Sequence, residues 1–206
     1  ITDFAIDGKY KNIVCIPPIS GYKSNKNTHK MEKRLVISTG GLISPDIDSK
    51  ETLFDFVQVM LDEAIEISRK YGINEIVLCG PEILKKRINV SNGNQMVKVS
   101  SLEHNRFLEL IACSEYLAII PGLTTIYEAF LTKTLLLPST NYSQILQSQA
   151  ICEANLGKEL ICEEVMGEDS ILCVEAGEIE GTKLIIQYIK KYLKEGKIKD
   201  IFSMGF

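Results

Sequence analysis

The chain has 206 residues, 45% of them hydrophobic and 24% charged, with a formal net charge of -4. That length suits one sizeable α/β core, and the acidic balance gives no reason to expect nucleic acid as a partner. No apolar stretch reaches the length of a membrane span and no signal peptide is visible, so no transmembrane segment is expected.

The first residue is Ile rather than Met, which suits a fragment or a processed piece. Six cysteines (Cys15, Cys79, Cys113, Cys152, Cys162 and Cys173) lie in apolar segments without a C-x-x-C pair, which reads as reduced core cysteine rather than disulfide or metal site and makes the cytoplasm the expected compartment. Ile13–Ile16 is a candidate short strand, stopped by Pro17-Pro18. Ile19–Arg34 reads as a mobile polar loop. Its Lys23, Lys26, Lys30, Lys33 and Arg34 suit a solvated connector, with phosphate or an anionic membrane surface as the alternative for a peripheral contact.

Leu35–Ile37 is an apolar strand running into Ser38-Thr39-Gly40-Gly41, where paired glycines allow a sharp turn and close approach of a ligand. A long helix is predicted over Glu51–Tyr71, with Leu53, Phe54, Val57, Met60, Leu61, Ala64, Ile65 and Ile67 on its apolar side and Gly72 ending it. A strand returns over Asn74–Cys79, completing a βαβ unit. Glu82–Arg87 reads as a short helix, Asn89–Gln95 as a surface turn and Met96–Val99 as a strand entering Ser100-Ser101-Leu102. A helix follows over Glu103–Cys113.

Tyr116–Ile120 is a buried-strand pattern broken by Pro121-Gly122, with a helix over Thr124–Thr132. Thr125 and Glu128 have capping-box spacing at its start. Thr134–Leu137 is the next strand, ended by Pro138, and Tyr142–Asn155 the next helix. Lys158–Cys162 reads as an edge strand, the acidic Glu163–Glu180 as a solvated, partly irregular segment, and Ile179–Leu193 as a final amphipathic helix. The fold class is therefore α/β, a Rossmann-like parallel sheet flanked by helices. Its organisation is a linker or short strand plus loop over 1–34, a Rossmann-like domain over 35–195 and a tail over 196–206.

Gly122-Leu-Thr-Thr125 with Glu128, then Pro138, Asn141 and Gln144 in order, resembles the donor-binding half of GT-B glycosyltransferases. The nearest likeness is the branch of the bacterial lipid-intermediate N-acetylglucosamine transferase, with its G-x-x-T-x-x-E turn and later P-x-x-x-x-x-Q. The resemblance runs over roughly Lys33–Leu193.

It implies a domain that binds a nucleotide-diphosphate sugar, UDP-linked by preference, beside an N-terminal acceptor-binding domain, fused or separate, that carries the general base. Gly40, Gly41, Gly122, Leu123, Thr124 and Thr125 would hold the diphosphate, and Glu128 the ribose hydroxyls. Ser101 and Leu102 would meet the base, and Asn141 and Gln144 the sugar, with Gln147 as understudy. Amides suit sugar hydroxyls because they both donate and accept. Asn141-Tyr142-Ser143-Gln144 departs in detail from the family's acidic or paired-glutamine turn, which leaves the sugar open.

No cofactor and no metal are expected, and no catalytic triad is present. Plain capping explains Thr124, Thr125 and Glu128 as the alternative. Two other functions stay open: a nucleotide-sugar hydrolase or 2-epimerase of the same fold, and a non-catalytic nucleotide-binding module. A dinucleotide oxidoreductase is disfavoured, because no G-x-G-x-x-G follows the first strand.

Overall fold

A computed structural model of the chain describes residues 31–43, 50–90, 96–128, 133–153, 160–162 and 169–200. The expected strand at Ile13–Ile16, the polar loop up to Lys30 and residues 91–95 of the expected surface turn lie outside them. Among the described residues there are six strands: β1 (Glu32–Ser38), β2 (Glu75–Cys79), β3 (Val97–Ser100), β4 (Ser114–Ile119), β5 (Lys133–Leu136) and β6 (Leu160–Cys162). They form one parallel sheet in the order β3-β2-β1-β4-β5-β6. The expected α/β fold with a parallel sheet is the observed one.

The central strands β1, β2, β4 and β5 are buried on both faces, which is why they read as continuous apolar runs. Leu35, Val36 and Ile37 at the centre of the sheet are each 0% exposed. Leu35, Ile37, Ile76, Leu78, Ala118 and Leu135 face the larger core, filled from α1 (Lys50–Tyr71) and α7 (Gly177–Glu195). Val36, Val77, Leu117, Ile119 and Leu136 face the other way. They meet Leu108 and Ile111 of α3 (His104–Ala112) and Ile126 of α4 (Leu123–Glu128).

Local signals explain most boundaries. Gly72, at φ 67°, ends α1, and the Ile73 N–H returns to the Ser68 carbonyl at 2.8 Å. Thr39 donates both its N–H and its hydroxyl to the Cys79 carbonyl, tying the turn after β1 to the end of β2. A Cβ on Gly80 would lie 2.1 Å from Thr39 Oγ1, so only glycine permits that approach. α2 (Leu84–Arg87) follows and buries Leu84.

Three expectations need correction. β1 begins at Glu32, so Lys33 and Arg34 are strand residues and not loop: Arg34 pairs with Glu75 of β2 and with Glu32. Thr125 caps nothing, because α4 starts two residues earlier and the Ile126 N–H already bonds the Gly122 carbonyl at 2.9 Å. The acidic segment holds regular structure within 169–180: α6 (Asp169–Glu175) and the first turn of α7. Cys173 of α6 is buried in the core, and Tyr192 donates its hydroxyl to Asp169 at 2.7 Å. Beyond α7 the chain continues into a 3-10 turn, Lys197–Asp200, whose Ile198 is buried in the core. Cys79, Cys113 and Cys173 are free thiols.

Candidate functional site

The strands end in line: Ser38 pairs with Cys79 and Ile119, Cys79 with Ser100, Ile119 with Leu136 and Leu136 with Cys162. Chain direction across the sheet reverses between β1 and β4. Successive connections leave such neighbours on opposite faces, opening a crevice beyond their carboxyl ends where ligands of α/β sheets bind. The Gly40-Gly41 turn and the Pro121-Gly122 turn stand at that point.

In the first turn, the Leu42 N–H bonds the Thr39 carbonyl at 3.1 Å, and Gly41 takes φ 74° at the third position. Side chains rarely adopt that angle, and a Cβ there would lie 2.9 Å from Gln144 Nε2. In the second turn Gly122 has no such strain. A Cβ on it would meet Gly40 O and Thr125 Oγ1, both at 3.9 Å. Thr125 Oγ1 is also 3.8 Å from a Cβ built on Gly40, so these three predicted diphosphate residues converge. Leu123 and Thr124 follow Gly122 at the head of α4, Thr124 exposed.

A cavity of about 620 Å³ opens beside these turns. Gly41 and Gly122 line it on one side, with Asn141, Ser143, Gln144 and Gln147 of α5 (Tyr142–Glu153) beside them. The structure thus brings two of the predicted diphosphate residues and both predicted sugar residues to one cavity. α7 also lines it, through Glu178, Ile179, Thr182 and Lys183. Sequence reasoning foresaw the helix from Ile179 onward but not its place at the site, because no local pattern shows where a C-terminal helix packs.

Two close contacts place α7 there. A Cβ on Gly181 would lie 2.2 Å from the Cys173 carbonyl oxygen and 3.0 Å from Tyr142 Cδ2, so a bare backbone is what lets α7 meet α6 and α5. Thr182 Oγ1 accepts the Tyr142 N–H at 3.1 Å. Asn141 Oδ1 accepts the Gln144 N–H at 3.1 Å, capping α5 from its own chain.

The predicted sugar amides are engaged with the protein. Gln144, 3% exposed, accepts the Thr140 N–H at 2.7 Å and the Thr140 hydroxyl at 3.0 Å through Oε1. Its Nε2 donates to the Gly41 carbonyl at 3.0 Å, and Asn141 Nδ2 donates to the same carbonyl at 3.2 Å. Both amides therefore hold the β1 turn against α5, and each keeps one N–H.

Ser101 and Leu102 are outside this cavity. They stand exposed in the β3–α3 turn at the same sheet edge, two strands from β1, or roughly 10 Å at ordinary strand spacing. Glu128 bridges the two regions: its carboxylate, 6% exposed, lies 3.3 Å from His104 Nε2 at the start of α3. Burial pushes the Glu128 carboxyl up, and the nearby His104 draws it back only in part. A carboxylate held there at a cost is a candidate for function. Among the described residues no group of three or more His, Cys, Asp or Glu is placed to hold a metal ion. Among them also, no helix is long and apolar enough to cross a membrane.

No protein-family model matches the sequence, and a search of curated proteins finds no significant match. Among solved structures the chain is similar to the UDP-GlcNAc 2-epimerase of Methanocaldococcus jannaschii, solved in complex with UDP-GlcNAc and UDP. The identity is 13% and the TM-score 0.44, over 76% of this chain. The chain spans 39% of that enzyme's length. A likeness of that extent names no ligand for this chain.

Proposed function

We propose that this chain binds a nucleotide-diphosphate sugar, UDP-linked by preference, as the donor half of a glycosyltransferase. The observation that carries the reading is the cavity at the β1/β4 switch point, where Gly41, Gly122, Asn141 and Gln144 meet. In this reading Gly40, Gly41 and Gly122 let backbone approach the diphosphate, with the amides of Leu123 and Thr124 and the Thr125 hydroxyl as donors. Glu128 accepts the ribose hydroxyls, and the Ser101-Leu102 turn meets the base. Asn141 and Gln144 stand at the sugar end with one amide N–H each. The chain's part in catalysis is electrostatic, holding the leaving nucleoside diphosphate. The acceptor and the general base belong to an N-terminal domain, fused or separate.

One observation favours a second reading. Glu178 lines the cavity, and its carboxylate would supply an acid–base group to a sugar bound there, as a nucleotide-sugar hydrolase or 2-epimerase would need. A thermal-shift screen against uridine, guanosine and thymidine diphosphates tests the binding. A ligand at one hundred times its Kd stabilises by about 2.7 kcal/mol, or about 5–10 °C for a chain of this size. No shift with any of the three would overturn the reading. Release of UDP, or of a 2-epimer, from UDP-sugar by the chain alone would select the second.

A further inference from the structure

We infer that Lys183 of α7 is the anion-binding cation of the cavity, its ammonium leaving Glu180 to take the charged group of the ligand. The inference rests on the proposal that the cavity takes a nucleoside diphosphate. It assigns a binding residue on α7, outside the glycine turns and the α5 amides. Among the described residues that line the cavity, Lys183 is the one cation and Glu178 the one anion. Gly40, Gly41, Gly122 and Thr125 at the turns can donate hydrogen bonds but carry no charge. A diphosphate laid over them is a polyanion brought near a carboxylate, and like charges repel more strongly where water is displaced. A cation within reach offsets that repulsion, and a hydrogen bond from Lys to phosphate is of the stronger, charge-assisted kind.

The neighbour of Lys183 fixes its place. Thr182 Oγ1 accepts the Tyr142 N–H at 3.1 Å, and Asn141, the residue before Tyr142, donates Nδ2 to the Gly41 carbonyl at 3.2 Å. Two hydrogen bonds thus link the residue next to Lys183 with the turn that follows β1. The Lys183 side chain is 60% exposed, so a molecule entering the cavity meets it. Its partner in the free protein is Glu180, three residues back on the same helix, at 2.6 Å and equally open to water. Exposed pairs of that kind contribute little, because solvent screens them and two long side chains must be ordered. Exchanging Glu180 for a phosphate oxygen therefore costs little and leaves the Glu180 carboxylate in water. Lys190, two turns further along α7, is exposed too but does not line the cavity.

Lys183→Met tests this, with Lys190→Met as the control for the field of the whole protein and Glu180→Gln as the control for the ion pair. Each replaces an exposed residue, so the fold is kept. Calorimetry with uridine, guanosine and thymidine diphosphates identifies the one that the wild type binds most tightly. That nucleotide is then titrated into each variant at about 0.05 M and about 0.5 M salt. At the lower salt Lys183→Met should bind about five- to thirtyfold more weakly, and Lys190→Met within about twofold of wild type. Glu180→Gln should bind no more weakly than wild type, since the lysine then has no competing carboxylate. The loss in Lys183→Met should shrink at the higher salt.

Wild-type affinity in Lys183→Met overturns the inference and leaves the proposed function standing. Equal losses in Lys183→Met and Lys190→Met do the same, by making the effect a long-range one. A loss in Glu180→Gln as large as that in Lys183→Met overturns it by making the ion pair structural, and a loss that salt leaves unchanged overturns it by making the contact non-ionic. Absence of binding of all three diphosphates to the wild type removes the proposed function and this inference together.

Discussion

Glu128→Gln separates a ligand-binding carboxylate from a structural one. The capping role that its spacing suggests is gone, since α4 begins at Leu123 and Thr125 lies inside its first turn. What remains is a carboxylate 6% exposed and 3.3 Å from His104. His104 is itself 57% exposed, so losing that contact costs about 0–1 kcal/mol. The sign of the stability effect follows from the raised carboxyl of Glu128. Stability is lost as pH rises from the unfolded pKa through the higher folded one, so above both the buried carboxylate is a net burden. Glutamine removes that burden, and Glu128→Gln should melt no lower than wild type at pH 8.

Binding should move the other way. Hydrogen bonds to a charged acceptor contribute about 1.5–3 kcal/mol, so loss of the carboxylate should weaken UDP binding by about tenfold or more. Calorimetry with UDP and 2′-deoxy-UDP on both proteins makes a double-mutant cycle between residue and hydroxyl. The wild type should discriminate against the deoxy nucleotide and the variant scarcely at all. The His104 contact cancels in this cycle, because it is common to both ligands. Zero coupling would refute the ribose assignment.

Two further outcomes follow from the packing and the charges. Gly181→Ala puts a methyl group 2.2 Å from the Cys173 carbonyl oxygen, so α7 must shift. Thermal or chemical unfolding should show a loss of about 1–3 kcal/mol, the cost of an overpacked core, and an unchanged midpoint would contradict the α6–α7 contact. Burial pushes the Glu75 carboxyl up, but Lys98 and Arg34 outweigh it and hold it below the ordinary value. Its contribution is thus present above the unfolded pKa and lost as pH falls through the folded one. Glu75→Gln should therefore flatten the acid limb of the stability–pH profile below about pH 4.5, relative to wild type.

Much of the sheet is legible in the sequence because its central strands are buried on both faces and several are bounded by a breaker. Glu75–Cys79 stands between Gly72 and Gly80-Pro81, and Tyr116–Ile120 stops at Pro121-Gly122. α1 is legible for the opposite reason: one face is apolar at spacings of three and four, and Leu53, Val57, Met60, Leu61 and Ala64 are buried as that face requires. Thr-x-x-Glu misleads because the same spacing occurs inside a helix, and the true start of α4 is set by Pro121-Gly122. Strand β1 begins earlier than its apolar run because Arg34 is paid for by Glu75 on the next strand, which no local pattern reveals.

The site is half legible. Glycine turns after strands mark the switch point, but the α7 wall is not legible: its helix is expected from Ile179, while its place beside α5 and α6 depends on contacts distant in sequence. Gly181 is a contact residue of that helix. Nor does spacing show that the amides of Asn141 and Gln144 are drawn to the Gly41 carbonyl, a contact across about a hundred residues of chain.

The account's central claim is that a nucleoside diphosphate lies over the Gly40-Gly41 and Gly122 turns. Gly122→Val tests it most directly. Gly122 is not among the positive-φ glycines, and the nearest atoms to its Cβ position are 3.9 Å away, so the variant has room to fold. Its branched side chain would fill the space between Gly40, Thr125 and the cavity. Calorimetric titration with UDP should give clear binding to the wild type and none to a variant with an unchanged melting temperature. Equal affinity for UDP in a folded Gly122→Val would contradict the claim.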